Sequence, residues 1–240
     1  MNILAIGNSF SQDATRYLEQ IAHAQGEVLN VFNLYIGGCS LERHFRNMKS
    51  GERAYTLEFN GKSTGFSISL KEALIGRSRE WDVITLQQAS HFSGKKEAYN
   101  PYTQALVSYI RDLCPKAKLY IHETWAYEEA SDRLLNFMKY EKRIDMYNDL
   151  HSAYVQAASD VNADGFIPSG TLMQRLIENG VTNLHRDTFH ATYGVGRYAL
   201  ALLWFKVLTG KSVLDNSFKC TTAQISDEEY AIIKKCVEEI

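Results

Sequence analysis

The 240-residue chain contains little proline and no long apolar segment. Its three prolines argue against proline-rich linkers and low-complexity regions. A transmembrane helix needs about 18 consecutive apolar residues, and no such run occurs. The first seven residues read as a β-strand and lack the basic and long apolar regions of a secretion signal. We therefore expect a cytoplasmic protein without a membrane partner, unless a leader precedes this sequence.

Cysteine is also scarce, and the spacing of the cysteines argues against a metal site. The four residues are Cys39, Cys114, Cys220 and Cys236, and no two of them have the separation of a metal-ligand pair. We therefore predict reduced, partly buried thiols and no metal site.

Neither sign of charge dominates the chain. It has 26 Lys and Arg residues against 28 Asp and Glu residues, which gives a formal net charge of −2. This balance provides no general attraction to nucleic acid, so we predict no nucleic-acid partner. Hydrophobic residues make up 45% of the chain, which is enough for a sizeable core. The oligomeric state stays open.

Short apolar runs alternate with helical patterns from one end of the chain to the other. Five runs predict β-strands, at residues 2–7, 28–36, 81–86, 118–122 and 165–168. Helical patterns fall at residues 13–26, 99–114, 134–162, 171–179 and 194–208, and a capping pattern begins the tail at residue 226. Residues 41–49 form a helical or irregular insertion. The Asn60-Gly61 pair predicts a β-hairpin over residues 54–70.

This alternation is typical of an α/β protein. We predict a mostly parallel five-stranded sheet with helices on both faces and a β-hairpin insertion. No linker is visible, so residues 1–240 are predicted to form a single domain. In such sheets, functional residues lie at the carboxyl ends of the strands.

A serine follows the first predicted strand directly, in the segment Gly7-Asn8-Ser9-Phe10-Ser11. Backbone N–H groups of the coming helix can hold an oxyanion there, and the helix dipole adds to this effect. By itself, the segment favours a serine, Ser9 or Ser11, that only caps the next helix. It has neither the dinucleotide-binding glycine pattern nor the nucleophile elbow of α/β-hydrolases.

A second polar motif, Asp187-Thr188-Phe189-His190, precedes the apolar helical segment near the C-terminus. A separation of three residues allows the Asp187 carboxylate to reach the His190 imidazole and fix its tautomer. Alone, Asp187 also fits a turn residue and His190 a polar surface residue. Together with Ser9, the pair predicts a catalytic triad.

Other predicted strand ends carry candidate substrate and oxyanion groups. Gly38 allows close backbone approach and offers an N–H donor, and Gln87 and Gln88 offer side-chain amides. Trp125 offers a flat platform for a sugar ring, although a lone tryptophan is more often a packing residue. Each of these groups is also compatible with an ordinary turn or loop.

These segments, in this order, resemble the SGNH (GDSL-type) hydrolase superfamily, and more closely its DUF4886 branch. The resemblance extends from Ile3–Ser11 to His190–Tyr198. It implies a flavodoxin-like three-layer α/β/α fold and ester hydrolysis, often of acylated carbohydrates, without a metal or an organic cofactor. The nucleophile would be Ser9, supported by Asp187 and His190.

The resemblance also assigns the oxyanion donors. Gly38 falls on the backbone donor of the second block, and the Ser9 N–H acts with it. The third block departs from the Gly-x-Asn-Asp of the wider family and reads Leu86-Gln87-Gln88-Ala89-Ser90. Gln87 is our choice for the side-chain donor, with Gln88 in reserve; Gln88 and Trp125 are the predicted substrate-binding residues.

The predicted function is therefore that of a serine esterase acting on a small-molecule or oligosaccharide ester, with acetyl as the first choice of acyl group. A lipase- or thioesterase-like hydrolase of longer acyl chains is the alternative enzyme. A carbohydrate-binding relative with little catalytic activity is the alternative outside catalysis. A phosphate-binding protein is weakly supported because no glycine-rich loop with lysine occurs.

Overall fold

A single mixed β-sheet forms the centre of the molecule. The computed structural model describes residues 1–76 and 80–240. Its strands are β1 (Asn2–Gly7), β2 (Asn30–Tyr35), β3 (Tyr55–Phe59), β4 (Lys62–Ile68), β5 (Val83–Leu86), β6 (Lys118–His122) and β7 (Gly165–Ile167). Within these described residues the order across the sheet is β4-β3-β2-β1-β5-β6-β7.

Five of these strands run parallel, as the sequence predicts. Parallel pairing joins β2 to β1, β1 to β5, β5 to β6 and β6 to β7. The hairpin strands β3 and β4 add antiparallel pairs beside β2 and widen the same sheet to seven strands. Asn60 and Gly61 both have positive φ angles, of 47° and 73°, which is the backbone geometry that the tight turn requires.

Helices cover both faces of the sheet, which confirms the α/β/α prediction. They are α1 (Ser9–Thr15), α2 (Leu18–His23), α3 (Leu41–Ser50), α4 (Leu70–Ile75), α5 (Tyr102–Leu113), α6 (Arg143–Asp160), α7 (Ser169–Glu178), α8 (Val195–Thr209) and α9 (Asp227–Glu238). One group consists of α1, α2, α7 and α9 packed around α8, and a second group consists of α3, α4 and α5. Helix α6 contacts β6 and α7.

Two predicted helices have different bounds in the structure. The segment predicted at residues 13–26 begins earlier, because Asn8 caps α1, and it is interrupted where Tyr17 leaves helical geometry (φ −115°, ψ 5°). The segment predicted at residues 134–162 divides into a π-helical turn, Arg133–Phe137, and helix α6. Such turns occur frequently at functional sites.

Helix α8 is apolar around its whole circumference, and the structure explains this pattern. Its side chains contact α1, α2, α7 and α9 as well as β7, so almost no side of the helix meets solvent. Trp204 and Phe205, for example, are both fully buried. A helix with this pattern is a core element rather than an amphipathic cover. Among the described residues, no helix has the length and apolarity needed to cross a bilayer.

The central strands predict where a core substitution destabilises most. Ile84 of β5 is fully buried between the two helical layers, so Ile84→Ala removes packed apolar volume. We expect the free energy of unfolding to fall by about 2–5 kcal/mol, measured by urea denaturation. Val28→Ala is the control, because Val28 is 74% exposed and should change stability by less than about 0.5 kcal/mol. Equal effects would contradict the burial of β5.

Candidate active site

The chain turns sharply between β1 and α1, and this turn presents Ser9. Asn8 caps the helix, since its Oδ1 accepts a hydrogen bond from the Phe10 N–H at 3.0 Å. Ser9 is therefore the first helical residue. A Cβ atom on Gly7 would lie 2.5 Å from the Ser11 Oγ, so the turn needs a glycine before Asn8.

The three residues predicted as a triad meet in the folded chain. Ser9 Oγ lies 2.7 Å from His190 Nε2, and His190 Nδ1 lies 2.8 Å from Asp187 Oδ2. The other oxygen of Asp187 accepts the backbone N–H of His190 at 2.9 Å. If Nδ1 carries the proton that Asp187 accepts, Nε2 is free to accept the proton of the Ser9 hydroxyl. This arrangement fits a serine paired with a general base.

The electrostatics of Asp187 favour its ionised form. Partial burial raises the pKa of this carboxyl, but the hydrogen bonds from the His190 side chain and backbone outweigh burial and lower the pKa overall. The turn between the two residues holds Thr188 at a φ of 74°, in the left-handed region that β-branched residues rarely occupy. Such backbone strain concentrates at functional sites.

Two backbone N–H groups near Ser9 are available as donors. Within residues 1–76 and 80–240, neither the Ser9 nor the Gly38 N–H has a hydrogen-bond acceptor. Gly38 is exposed and has a φ of 61°, in a turn closed by the bond from the Cys39 N–H to the Ile36 carbonyl. These groups match the two predicted backbone oxyanion donors, and the donor assignment itself stays a prediction.

The side chain of Gln87 is engaged elsewhere, which corrects its predicted position as an open oxyanion donor. Its amide nitrogen donates to Asn8 Oδ1 at 2.7 Å, and its oxygen lies 2.8 Å from His122 Nδ1. Asn8 in turn donates through Nδ2 to the Cys39 carbonyl at 3.0 Å. Gln87 is 2% exposed. It therefore orients Asn8 and the Gly38-Cys39 turn rather than facing the space above Ser9.

The prediction that Gln88 and Trp125 bind substrate is wrong, because both side chains are buried. Gln88 is 1% exposed; its oxygen accepts the N–H groups of Leu41 and Ala89, and its nitrogen donates to the Ala98 carbonyl. Trp125 has no exposed surface and packs against Phe10 at a centroid distance of 4.2 Å. Its indole N–H donates to the Phe189 carbonyl at 2.8 Å. Trp125 thus packs against α1 and holds the backbone of Phe189, the residue before His190.

A buried ionic cluster that the sequence analysis did not identify joins the two halves of the triad. The Asp13 carboxylate of α1 is fully buried and contacts Arg186 at 2.9 Å and Arg197 at 2.7 Å. It also accepts the backbone N–H of Ala191 at 3.0 Å, directly after His190. The cluster therefore fixes α1, which carries Ser9, against the segment that carries Asp187 and His190.

One feature of the sequence could have indicated this ionic cluster. Asp13 falls one helical turn after Ser9, on the side of α1 that otherwise carries buried small and apolar residues. A carboxylate at such a position requires a cationic partner. Nothing in the spacing of Arg186 relates it to Asp13, which lies more than 170 residues earlier in the chain.

Across residues 1–76 and 80–240, no cluster of three or more His, Cys, Asp or Glu side chains has the geometry of a metal site.

Removal of the Asp13 charge tests the cluster. Asp13→Asn leaves Arg186 and Arg197 buried without an anion, so we expect the free energy of unfolding to fall by about 3–5 kcal/mol in urea denaturation. The control is Asp227→Asn, which breaks an exposed pair with Lys219 and should leave stability nearly unchanged because solvent screens that pair. Similar losses in the two variants would show that the buried cluster contributes no special stability.

Buried histidines predict how stability depends on pH. Burial lowers the pKa of His44 and His122 to about 3 and that of His185 to about 4. In the unfolded chain these residues bind protons below about pH 6.5, whereas the folded chain does not. The free energy of unfolding should therefore fall as pH drops from about 6.5 to 4.

The contribution of one histidine can be isolated with His44→Gln. This variant removes one proton from the difference between unfolded and folded chains, so its stability should lose about 1.4 kcal/mol less per pH unit. Urea denaturation at several pH values between 6.5 and 4 measures both slopes. An unchanged slope would contradict a neutral, buried His44.

The fold is similar to that of several solved structures. A DUF4886 family protein from Bacteroides uniformis has a TM-score of 0.92 and 33% identity, over 100% of this chain and 93% of that chain. A candidate SGNH hydrolase from Slackia heliotrinireducens has a TM-score of 0.63 and 20% identity, over 87% and 98% of the two chains. The acetylxylan esterase Axe2 from Geobacillus stearothermophilus has a TM-score of 0.51 and 15% identity, over 93% and 97%.

These likenesses confirm the SGNH hydrolase-like fold that the sequence motifs suggested. No curated protein matches the chain significantly. The family model described as "Domain of unknown function (DUF4886)" matches residues 2–237. With nearly every residue covered by that model, and a relative of 33% identity that spans the whole chain, the chain belongs to the DUF4886 family.

Proposed function

We propose that this protein is a serine ester hydrolase that removes small acyl groups, acetyl first among them, from a carbohydrate or a similar polar alcohol. One observation carries the proposal: Ser9 Oγ, His190 and Asp187 form a continuous hydrogen-bonded chain with separations of 2.7 and 2.8 Å. A serine that only caps a helix has no need of an imidazole supported by a carboxylate.

Acylation begins when Ser9 Oγ attacks the ester carbonyl carbon. The hydroxyl proton passes to His190 Nε2, and Asp187 stabilises the imidazolium that forms. The N–H groups of Ser9 and Gly38 donate to the oxyanion of the tetrahedral intermediate. The bond from carbon to the alcohol oxygen then breaks, His190 returns its proton to that oxygen, and the acyl group stays on Ser9.

Deacylation repeats these steps with water. His190 Nε2 accepts a proton from water as its oxygen attacks the acyl carbon, and the same two N–H groups hold the second oxyanion. Collapse of this intermediate breaks the bond to Ser9 Oγ, and the proton on His190 restores the serine hydroxyl. The products are the free alcohol and a carboxylic acid.

The fold comparisons support this reading without deciding the substrate. Axe2 is an acetylxylan esterase with the same fold, but at 15% identity it shares no more than the fold with this chain. An acetylated carbohydrate is therefore our first choice because of the resemblance of the motifs, and the triad geometry supports only the hydrolysis of an ester.

A second candidate is a hydrolase of longer acyl chains. The π-helical turn whose Arg133 stacks on Phe189 exposes two large apolar side chains, Leu135 (39%) and Phe137 (60%). These side chains would suit an acyl tail near the triad. A series of p-nitrophenyl esters from acetate to laurate separates the candidates, because kcat/KM falls with chain length for a small-acyl esterase and rises for a lipase-like enzyme.

The nucleophile is tested with Ser9→Ala. Because the attacking oxygen is lost, we expect the release of p-nitrophenol from p-nitrophenyl acetate to fall by roughly 10³-fold or more. A fluorophosphonate should label the wild-type protein at Ser9, as located by mass spectrometry, since only an activated serine reacts.

Ser226→Ala provides the matched control, because Ser226 caps α9 in the way that an inert serine would, with its hydroxyl hydrogen-bonded to Glu229. It should keep wild-type activity and labelling. Activity in Ser9→Ala equal to that of the wild type would remove Ser9 from the mechanism. Absence of both hydrolysis and labelling in the wild type would favour the binding relative.

A further inference from the structure

Arg133 is a cationic side chain that lies beside the triad and takes no part in the hydrolysis steps proposed above. Arg133 belongs to the π-helical turn after β6, and its guanidinium carbon sits 3.9 Å from the centroid of the Phe189 ring. The Phe189 ring in turn contacts the His190 ring, at a centroid distance of 3.8 Å. Arg133 is therefore separated from the catalytic imidazole by a single aromatic ring.

Arg133 has no carboxylate partner in the described part of the chain. The neighbouring carboxylate of Asp132 accepts a hydrogen bond from Asn136 instead. This distinguishes Arg133 from Arg186 and Arg197, which both form ion pairs with the Asp13 carboxylate. Two arginines near the triad thus pair with a buried carboxylate, whereas Arg133 has no such partner among residues 1–76 and 80–240.

Two further basic side chains extend this region. His91 lies against Phe92 at a centroid distance of 4.3 Å, and the Lys95 ammonium lies 5.5 Å from the Phe92 centroid. Burial first, and then the charges of Lys95 and Arg133, lower the pKa of His91, so its imidazole is neutral near pH 7 and the positive charge of this region comes from Arg133 and Lys95. We call Arg133, Lys95 and His91 the basic patch.

The strand order places the basic patch at the carboxyl ends of the strands, which is also where Ser9 lies. Ser9 follows β1, His91 and Lys95 follow β5, and Arg133 follows β6; these three strands are parallel neighbours in the order β1-β5-β6. Their carboxyl ends meet at one edge. A substrate held at Ser9 therefore has the loops of the basic patch beside it.

We propose that the ester hydrolysed at Ser9 carries an anionic carboxylate group, which the basic patch binds chiefly through Arg133. The planar guanidinium presents several N–H donors in an arrangement that matches a carboxylate, and its contact with the Phe189 ring at 3.9 Å holds it beside the triad. The carboxylate belongs either to the acyl group or to an acidic sugar. This inference rests on the proposed function and specifies the substrate class of the same site.

Two pairs of substrates test the inference and distinguish these two sources. The first pair is mono-p-nitrophenyl succinate and p-nitrophenyl acetate, in which only the succinate carries a carboxylate, on the acyl side. The second pair is acetylated glucuronic acid and acetylated glucose, in which only the glucuronic acid carries a carboxylate, on the alcohol side. For each ester, kcat/KM is measured for the wild type, Arg133→Gln and Arg16→Gln. Arg16 is the matched control, since it stacks on Tyr17 at 5.2 Å, at the other end of α1 from Ser9.

We expect Arg133→Gln to lower kcat/KM for the anionic member of at least one pair by roughly tenfold or more, as loss of a charge-assisted hydrogen bond does. The neutral members should change by less than about twofold, and Arg16→Gln should resemble the wild type. Arg133→Lys should recover part of the loss because it keeps the charge. An unchanged ratio of anionic to neutral rates in both pairs would overturn the inference.

A binding measurement keeps the inference testable if no ester is hydrolysed. In that case the proposed hydrolysis fails, and calorimetric titration with succinate and with glucuronate still reports on the basic patch. Weaker binding by Arg133→Gln than by the wild type and Arg16→Gln supports the anion site. Equal binding by the three proteins, or no binding by the wild type, rejects it.

Discussion

The interaction between the buried Asp13 carboxylate and two arginines is the constraint on which the site depends. Asp13 belongs to the first helix, and Arg186 and Arg197 come from the last third of the chain. A buried carboxylate is costly to leave unpaired, so α1 and the arginine-bearing segments are stable only together. Because Ser9 lies one turn before Asp13 and His190 lies between the arginines, the same pairing sets the 2.7 Å contact of serine with imidazole.

A neutral hydrogen-bonded chain supports the other side of the nucleophile. It runs from His122 through Gln87 and Asn8 to the Cys39 carbonyl, across the carboxyl ends of β6, β5, β1 and β2. Burial lowers the pKa of His122 to about 3, so this histidine stays neutral and keeps its role as a link in the chain. Fully satisfied buried networks of this kind fix a single arrangement, and here they fix the turn that presents Ser9.

Specificity, by contrast, belongs to segments that pack less tightly. The loops after β5 and β6 carry exposed aromatic, apolar and basic side chains, including Phe137 and Lys95, and they surround a triad that is rigidly held. A fold shared with proteins at 15–20% identity says little about which ester is cleaved, because function is set by such site residues. Among the described residues of these loops, Arg133 is a cation without a carboxylate partner, and the proposed preference for an anionic ester rests on it.

The sequence by itself determined the alternation of strands and helices, the Asn60-Gly61 hairpin and the residues Ser9, Asp187 and His190, because each depends on local periodicity or on a short motif. Only the tertiary structure decided that Gln87 holds Asn8 and that Trp125 is buried. It alone also showed that Asp13 joins two distant segments. The physical reason is that burial and hydrogen-bond partners depend on which residues the sheet order brings together, and local spacing carries no record of contacts across more than 170 positions.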